Sequence, residues 1–152
     1  MIRKIFYFLL IVALSGCGYE SIYFNNNKLN LPIKEFELTG DKNVNRKIIS
    51  ILNLKKDNSK NTNYVLRLDS QKLLETAAKD KAGNATIFKT SLKIKIQLTK
   101  NGKLINEKTF DDSFTYSNSE DKFNLSQYQK SIEENLIDKI SEKIIFFLSN
   151  RI

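Results

Sequence analysis

The sequence predicts an α+β domain: a four-stranded, mostly antiparallel sheet with two helices packed on one face. Three observations lead there. Apolar residues alternate at period two in several short runs, two of which flank an Asn-Gly pair. In two other runs they recur at helical spacing. The order along the chain is strand, helix, three strands, helix, and because consecutive strands favour hairpins while each helix needs one apolar face covered, both helices belong on one side of the sheet.

The first strand is Ile33-Lys34-Glu35-Phe36-Glu37-Leu38, with Phe36 and Leu38 on one face, ending at Gly40-Asp41. From Asn43, which can cap the first turn, Val44, Ile48, Ile51 and Leu52 mark a helix that should stop near Leu54. A polar loop from Lys55 to Asn63 follows. Tyr64, Leu66 and Leu68 then point inward from a second strand whose extended character continues to Leu74. After the turn Lys79-Asp80-Lys81-Ala82-Gly83-Asn84, strand three has the clearest pattern in the chain: Phe88, Leu92, Ile94, Ile96 and Leu98 face one way, and Lys89, Ser91, Lys93, Lys95 and Gln97 the other.

Lys100-Asn101-Gly102-Lys103 supplies the Asn-Gly pair of a type I′ hairpin, so a fourth strand runs back antiparallel. A two-residue loop sets Leu98 opposite Ile105 and Lys93 opposite Phe110, so the apolar face changes parity within strand four. Either a bulge near Glu107-Lys108 returns Phe110, Phe114 and Tyr116 to the core, or these aromatics lie among the lysines on the second face, where they call for a partner. Beyond an acidic loop, a helix of about six turns starts at Asn124 or Ser126. Its stripe runs through Tyr128, Ile132, Leu136, Ile140, Ile144, Phe147 and Leu148. A membrane-surface role for that stripe would want a cationic polar side, whereas the charges here balance, which favours a core face.

Ahead of this domain, Arg3 and Lys4 precede an apolar run from Ile5 to Leu14 and then Ser15-Gly16-Cys17, the order of a secretory signal. Ten apolar residues at about 1.5 Å each reach only about half of a ~30 Å hydrocarbon core, so the run is too short to span it. The expected division is a signal peptide over 1–16, a tether over 17–32 that docks through Tyr19, Ile22 and Tyr23, and a single domain over 33–152.

The formal charge is +8, falling to +6 once Arg3 and Lys4 are removed. Residues 79–108 hold eight lysines against Asp80 and Glu107, and this stretch carries the whole excess. Only four residues are Arg, the better bidentate phosphate binder, and secretion separates the chain from nucleic acid, so nucleic acid is not an expected partner. The lysine face of strand three is either merely solvated or a contact for phosphorylated glycolipid or an acidic protein wall. With no histidine and one cysteine, imidazole acid–base work and the usual zinc ligands are excluded. The carboxylate pairs Asp111-Asp112 and Glu133-Glu134 diverge on strand and helix and suit solvation better than catalysis. No catalytic, metal or cofactor site is expected.

Leu14-Ser15-Gly16-Cys17 resembles the lipobox of bacterial lipoproteins, which implies diacylation of the Cys17 thiol, cleavage before it, and acylation of the new amino terminus. Three acyl chains exceed the two signals needed for stable anchoring. Gly18 in place of Asp resembles the outer-membrane default of that family. The opening Cys17-Gly18-Tyr19-Glu20-Ser21-Ile22-Tyr23, together with Tyr64-Val65-Leu66-Arg67-Leu68, the Lys-rich hairpin with Gly102 and the helix start Ser126-Gln127-Tyr128, is similar to the lipopolysaccharide-assembly lipoprotein (LptE) family. Ser21 departs from the Pro often found there. The resemblance covers the mature chain and implies two helices on a four-stranded sheet in an outer-membrane lipoprotein on the periplasmic side. Such a protein plugs the LptD β-barrel, assists its assembly and contacts lipopolysaccharide, with no chemistry of its own. Lys79, Lys81, Lys89, Lys93 and Lys95 become candidate lipopolysaccharide contacts by position, and Phe110 and Phe114 candidate barrel contacts. The alternative is a stand-alone envelope lipoprotein, a scaffold or an auxiliary subunit of another lipid-transport system.

Overall fold

The computed structural model describes residues 29, 31–57, 59 and 63–149; the expected signal segment, Cys17 and the residues expected to dock the tether, Tyr19, Ile22 and Tyr23, lie outside them. The elements are β1 (Ile33–Gly40), α1 (Lys42–Ile51), β2 (Tyr64–Lys79), β3 (Ala85–Lys100), β4 (Lys103–Ser117) and α2 (Lys122–Ser149). They form one sheet in the order β1-β2-β3-β4, antiparallel except where α1 crosses between the parallel neighbours β1 and β2. Both helices pack on the same face and touch each other, giving the predicted α+β architecture.

Each helix starts where a carboxylate can accept backbone N–H groups that have no partner inside the helix. The cap of α1 is Asp41 and not Asn43: its Oδ1 accepts the N–H groups of Asn43 at 2.9 Å and Val44 at 3.1 Å. Asp121 does the same for α2, accepting from the Asn124 N–H at 3.0 Å, so that helix begins at Lys122 and runs about eight turns instead of six. Gly40 ends β1 at φ +81°, where a Cβ would stand 1.9 Å from the Ser70 carbonyl oxygen; only glycine lets the two strands close this tightly.

The helix side of the sheet is the core. Leu66, Leu68, Leu92, Ile94, Ile96 and Leu98 are buried there against Val44, Ile48, Ile132, Ile137, Ile140 and Ile144. Leu31, on the tether, and half-buried Leu29 also pack on it. The stripe of α2 is thus a core face. Four ionic contacts fix how α2 lies: Lys72 reaches Glu133 at 3.0 Å, Lys47 reaches Glu134 at 2.9 Å, and Asp112 holds both Lys139 and Lys143 at 3.1 Å.

The Asn101-Gly102 turn forms as expected, with φ of 52° and 75°. Strand four contains a bulge, but earlier than Glu107-Lys108. Thr99 pairs with Leu104 and Leu98 with Asn106, so Ile105 is the extra residue. From there Ile94 faces Phe110, Thr90 faces Phe114 and Phe88 faces Tyr116, all on the helix side. β2 runs five residues beyond Leu74, to Lys79, and its far half extends past the end of β1, whose pairing stops at Ser70.

Candidate functional site

The outer face of the sheet carries Lys89, Lys93 and Lys95, and its cross-strand rows show what surrounds them. Lys95 stands between Asp69 and Thr109, Lys93 between Gln71 and Asp111, and Lys89 between Glu75 and Thr115. Every lysine of the stripe therefore has a carboxylate directly across on a neighbouring strand, where opposite charges attract at ~5 Å. One further row spans all four strands: Arg67 Nε donates to Glu37 at 2.6 Å, Arg67 Nη1 donates to Gln97 at 3.3 Å, and the Gln97 amide donates to Glu107. Lys95 also pairs with Glu107 at 3.1 Å. The Gln97 amide first, and Lys95 after it, hold the Glu107 carboxyl below its ordinary range. The basic stripe read along β3 is a mixed-charge ladder in three dimensions.

Lys79 and Lys81 lie apart from it, exposed at the β2–β3 turn. Asp80 ties that turn, accepting the N–H groups of Ala82 at 2.9 Å and Asn84 at 2.8 Å while its second oxygen takes the Asn84 amide at 3.1 Å. At about 3.3 Å per residue, Lys89 and Lys95 are roughly 20 Å apart along the strand. The five candidate lysines form a line and do not converge on one pocket.

The two candidate aromatics separate. Phe110 is 6% exposed, edge-on to Phe147 at 5.9 Å between ring centres, with the Lys108 ammonium over both rings at 5.2 and 5.5 Å. It is a core residue, out of reach of any partner. Phe114 shares its face but lies beside α2 and is 46% exposed, in one row with Thr90 and half-exposed Leu74. Phe123 and Tyr128 on the first turns of α2 add exposed rings at this end of the molecule, and Tyr128 meets buried Tyr116 edge-on at 5.9 Å. Leu74, Phe123 and Tyr128 were not singled out by the sequence as surface contacts: Tyr128 belongs to the apolar stripe, and Phe123 precedes the helix expected from Asn124. Only the length of α2 and of β2 reveals that they stand free.

A cleft of about 270 Å³ between α1 and α2, lined by Lys47, Ser50, Ile51, Glu134, Ile137 and Asp138, holds no group arranged for chemistry beyond the Lys47–Glu134 ion pair. Among the described residues, no three His, Cys, Asp or Glu side chains gather as a metal site, and no helix is long and apolar enough to cross a membrane.

No protein-family model matches the chain, and no curated protein sequence matches it. Solved structures do. The fold is similar to that of rare lipoprotein B from Shewanella oneidensis, at 15% identity over 76% of this chain and 94% of that one with a TM-score of 0.58. A minor lipoprotein from Acinetobacter baumannii is similar at 18% identity over 79% and 93%, also with a TM-score of 0.58. Lipoprotein B from Nitrosomonas europaea gives 8% identity over 76% and 81%, with a TM-score of 0.52. At these identities the likeness is one of fold: the domain is built as several bacterial lipoproteins are built.

Proposed function

We propose that this protein is an outer-membrane lipoprotein, anchored through Cys17 on the periplasmic side, that seats in an LptD-like β-barrel, assists its assembly and contacts lipopolysaccharide. The observation that carries the reading is the conjunction of Leu14-Ser15-Gly16-Cys17 with a domain whose fold recurs in solved bacterial lipoproteins. Its mode of action is binding, and it is not an enzyme. A plug is enclosed on much of its surface, and two features suit that. Among the described residues nothing covers the outer face of the sheet, and it is lined with charges that face opposite charges across strands, which a polar barrel lumen can meet without stripping water from lone ions. The exposed Leu74, Phe114, Phe123 and Tyr128 offer apolar contact at the end away from the tether.

For the lipopolysaccharide contact, Lys79 and Lys81 are the candidates with the freest surroundings, while Lys89, Lys93 and Lys95 would have to exchange a carboxylate neighbour for a lipid phosphate. Purification of the lipidated protein in mild detergent tests the partner: a large β-barrel should accompany it, and its absence would overturn the plug. Depletion should reduce lipopolysaccharide at the cell surface. Intact surface lipopolysaccharide after depletion would favour the stand-alone lipoprotein instead.

A further inference from the structure

The two ends of the domain differ in a way that the anchor makes meaningful. β1 begins at Ile33, paired with Tyr64, which in turn pairs with Lys100, itself opposite Lys103. The tether therefore joins the domain at the tip of the β3–β4 hairpin, and the β2–β3 turn lies at the far end. A strand of sixteen residues is about 50 Å long, and the sixteen residues from Cys17 to Ile33 reach ~56 Å only if fully drawn out. With any slack in the tether, the hairpin end is the one held near the lipid.

That end is also the charged one. Lys34, Lys55, Lys56, Lys100 and Lys103 are all exposed there, against Asp57 and Glu35. At the far end Lys79, Lys81 and Lys122 are balanced by Asp80, Glu120 and Asp121. Directly after Lys103 come Leu104, 56% exposed on the outer face, and Ile105, the bulged residue, 44% exposed. Lys100 lies over the Tyr64 ring at 4.9 Å, so the cationic rim is backed by an aromatic surface. Two exposed aliphatic side chains at a hairpin tip, next to Lys100 and Lys103 and at the same end of the sheet as Lys34, Lys55 and Lys56, match an anionic bilayer surface: the aliphatic groups enter the headgroup layer and the ammonium groups meet lipid phosphates.

We propose that the hairpin end of the domain, Leu104 and Ile105 with Lys100 and Lys103, rests on an anionic lipid bilayer and orients the sheet with its β2–β3 turn away from the membrane. The inference rests on the reading of Cys17 as the anchor point, and the two are tested separately.

The mature chain from position 17, carrying Cys17→Ser so that no acyl chain contributes, is mixed with vesicles of phosphatidylethanolamine and phosphatidylglycerol in equal parts and sedimented. Binding is expected, weakening as salt is raised. Lys100→Glu with Lys103→Glu should lower vesicle affinity at least roughly 25-fold, since each basic residue at an anionic surface contributes about fivefold and reversal both removes and opposes it. Leu104→Ser with Ile105→Ser should lower it in low and high salt alike, and both side chains are exposed enough to change without unfolding the domain. Lys122→Glu with Lys130→Glu, at exposed positions on the first turns of α2 away from the hairpin, should leave it unchanged. No binding by the unlipidated chain, or an equal loss from the Lys122 and Lys130 pair, would overturn the proposal. Palmitate incorporation into the native chain in cells reports on Cys17 alone, so failure of the anchor and failure of the docking end give different results.

Discussion

Replacing Phe110 by Ala should destabilise the domain by about 3 kcal/mol, and the value follows from where the bulge in β4 puts that ring. Phe110 is 6% exposed, and full burial of a Phe side chain contributes roughly 1.5–3 kcal/mol. Its edge-on contact with Phe147 at 5.9 Å adds about 0.5–1.5 kcal/mol. Because β4 is an edge strand, the cavity can partly close or admit water, so the cost belongs at the low end of the ~3–5 kcal/mol seen for such truncations. Phe114→Ala, at a ring 46% exposed, should cost about 1 kcal/mol. Urea unfolding of the mature Cys17→Ser chain measures both, with an unchanged m-value expected and a melting temperature lower by roughly 10 °C for the Phe110 variant. Equal costs for the two substitutions, or a cost below about 1 kcal/mol at Phe110, would refute the presence of a bulge ahead of Phe110 and put the ring on the outer face.

Three further outcomes follow from the same structure. Gly40→Ala should cost on the order of 3 kcal/mol, because a Cβ at φ +81° meets backbone atoms of Ser70 that cannot move without parting β1 from β2; thermal melting within about 2 °C of the parent would contradict this. Acid should destabilise the fold through Asp41 and Asp112. The Val44 N–H above all, with Asn43 and Lys72, holds the Asp41 carboxyl below 3.8 against the opposing effect of burial. Burial is the largest single influence on Asp112 and raises it, yet Lys139, Lys143 and the Ser113 N–H together bring it below 3.8 as well. Both native values are depressed, so the stabilisation is complete above the unfolded carboxylate pKa near 4 and disappears as pH falls through the native values; the Asp41→Asn, Asp112→Asn chain should show a shallower loss of urea midpoint below about pH 4, and an unaltered slope would count against it. Lys72→Met should cost less than about 1 kcal/mol despite its contacts to Glu133 and Asp41, since a third of its side chain is in water; a loss above about 2 kcal/mol would show the pair to be better shielded than its exposure indicates.

The elements were legible in the sequence wherever one face was buried. Strand β3 reads without ambiguity because Leu92, Ile94, Ile96 and Leu98 alternate with polar residues over their whole buried length. The far half of β2 does not, because Leu73 and Leu74 are both exposed and Glu75 to Lys79 meet solvent on both faces, leaving no period to detect. The need for a bulge was legible from the parity of Phe110, but its position was not: an extra residue anywhere between Leu104 and Phe110 gives the same later parity, and only hydrogen-bond geometry selects Ile105. Asn43 and Asp41 are both good cap residues, so the choice between them is made by the sharp turn at Gly40. The candidate surface was less legible still. Lys89, Lys93 and Lys95 form a basic run in the sequence, whereas the acids that face them, Asp69, Glu75 and Asp111, come from other strands and are brought there by pairing alone.

That pairing of lysines with acids across strands does something burial cannot. An in-out pattern of period two is blind to a strand that slides by two residues, because every apolar side chain then still faces the core. The charges are not blind to it. Sliding β3 by two residues along β2 in one direction sets Arg67 against Lys95; in the other it leaves Asp69 opposite Gln97 and Glu75 opposite Ser91, with no cation across from either. Solvated charges that add little to the depth of the native well thus serve as an alignment key, penalising the mispairings that the hydrophobic core would accept.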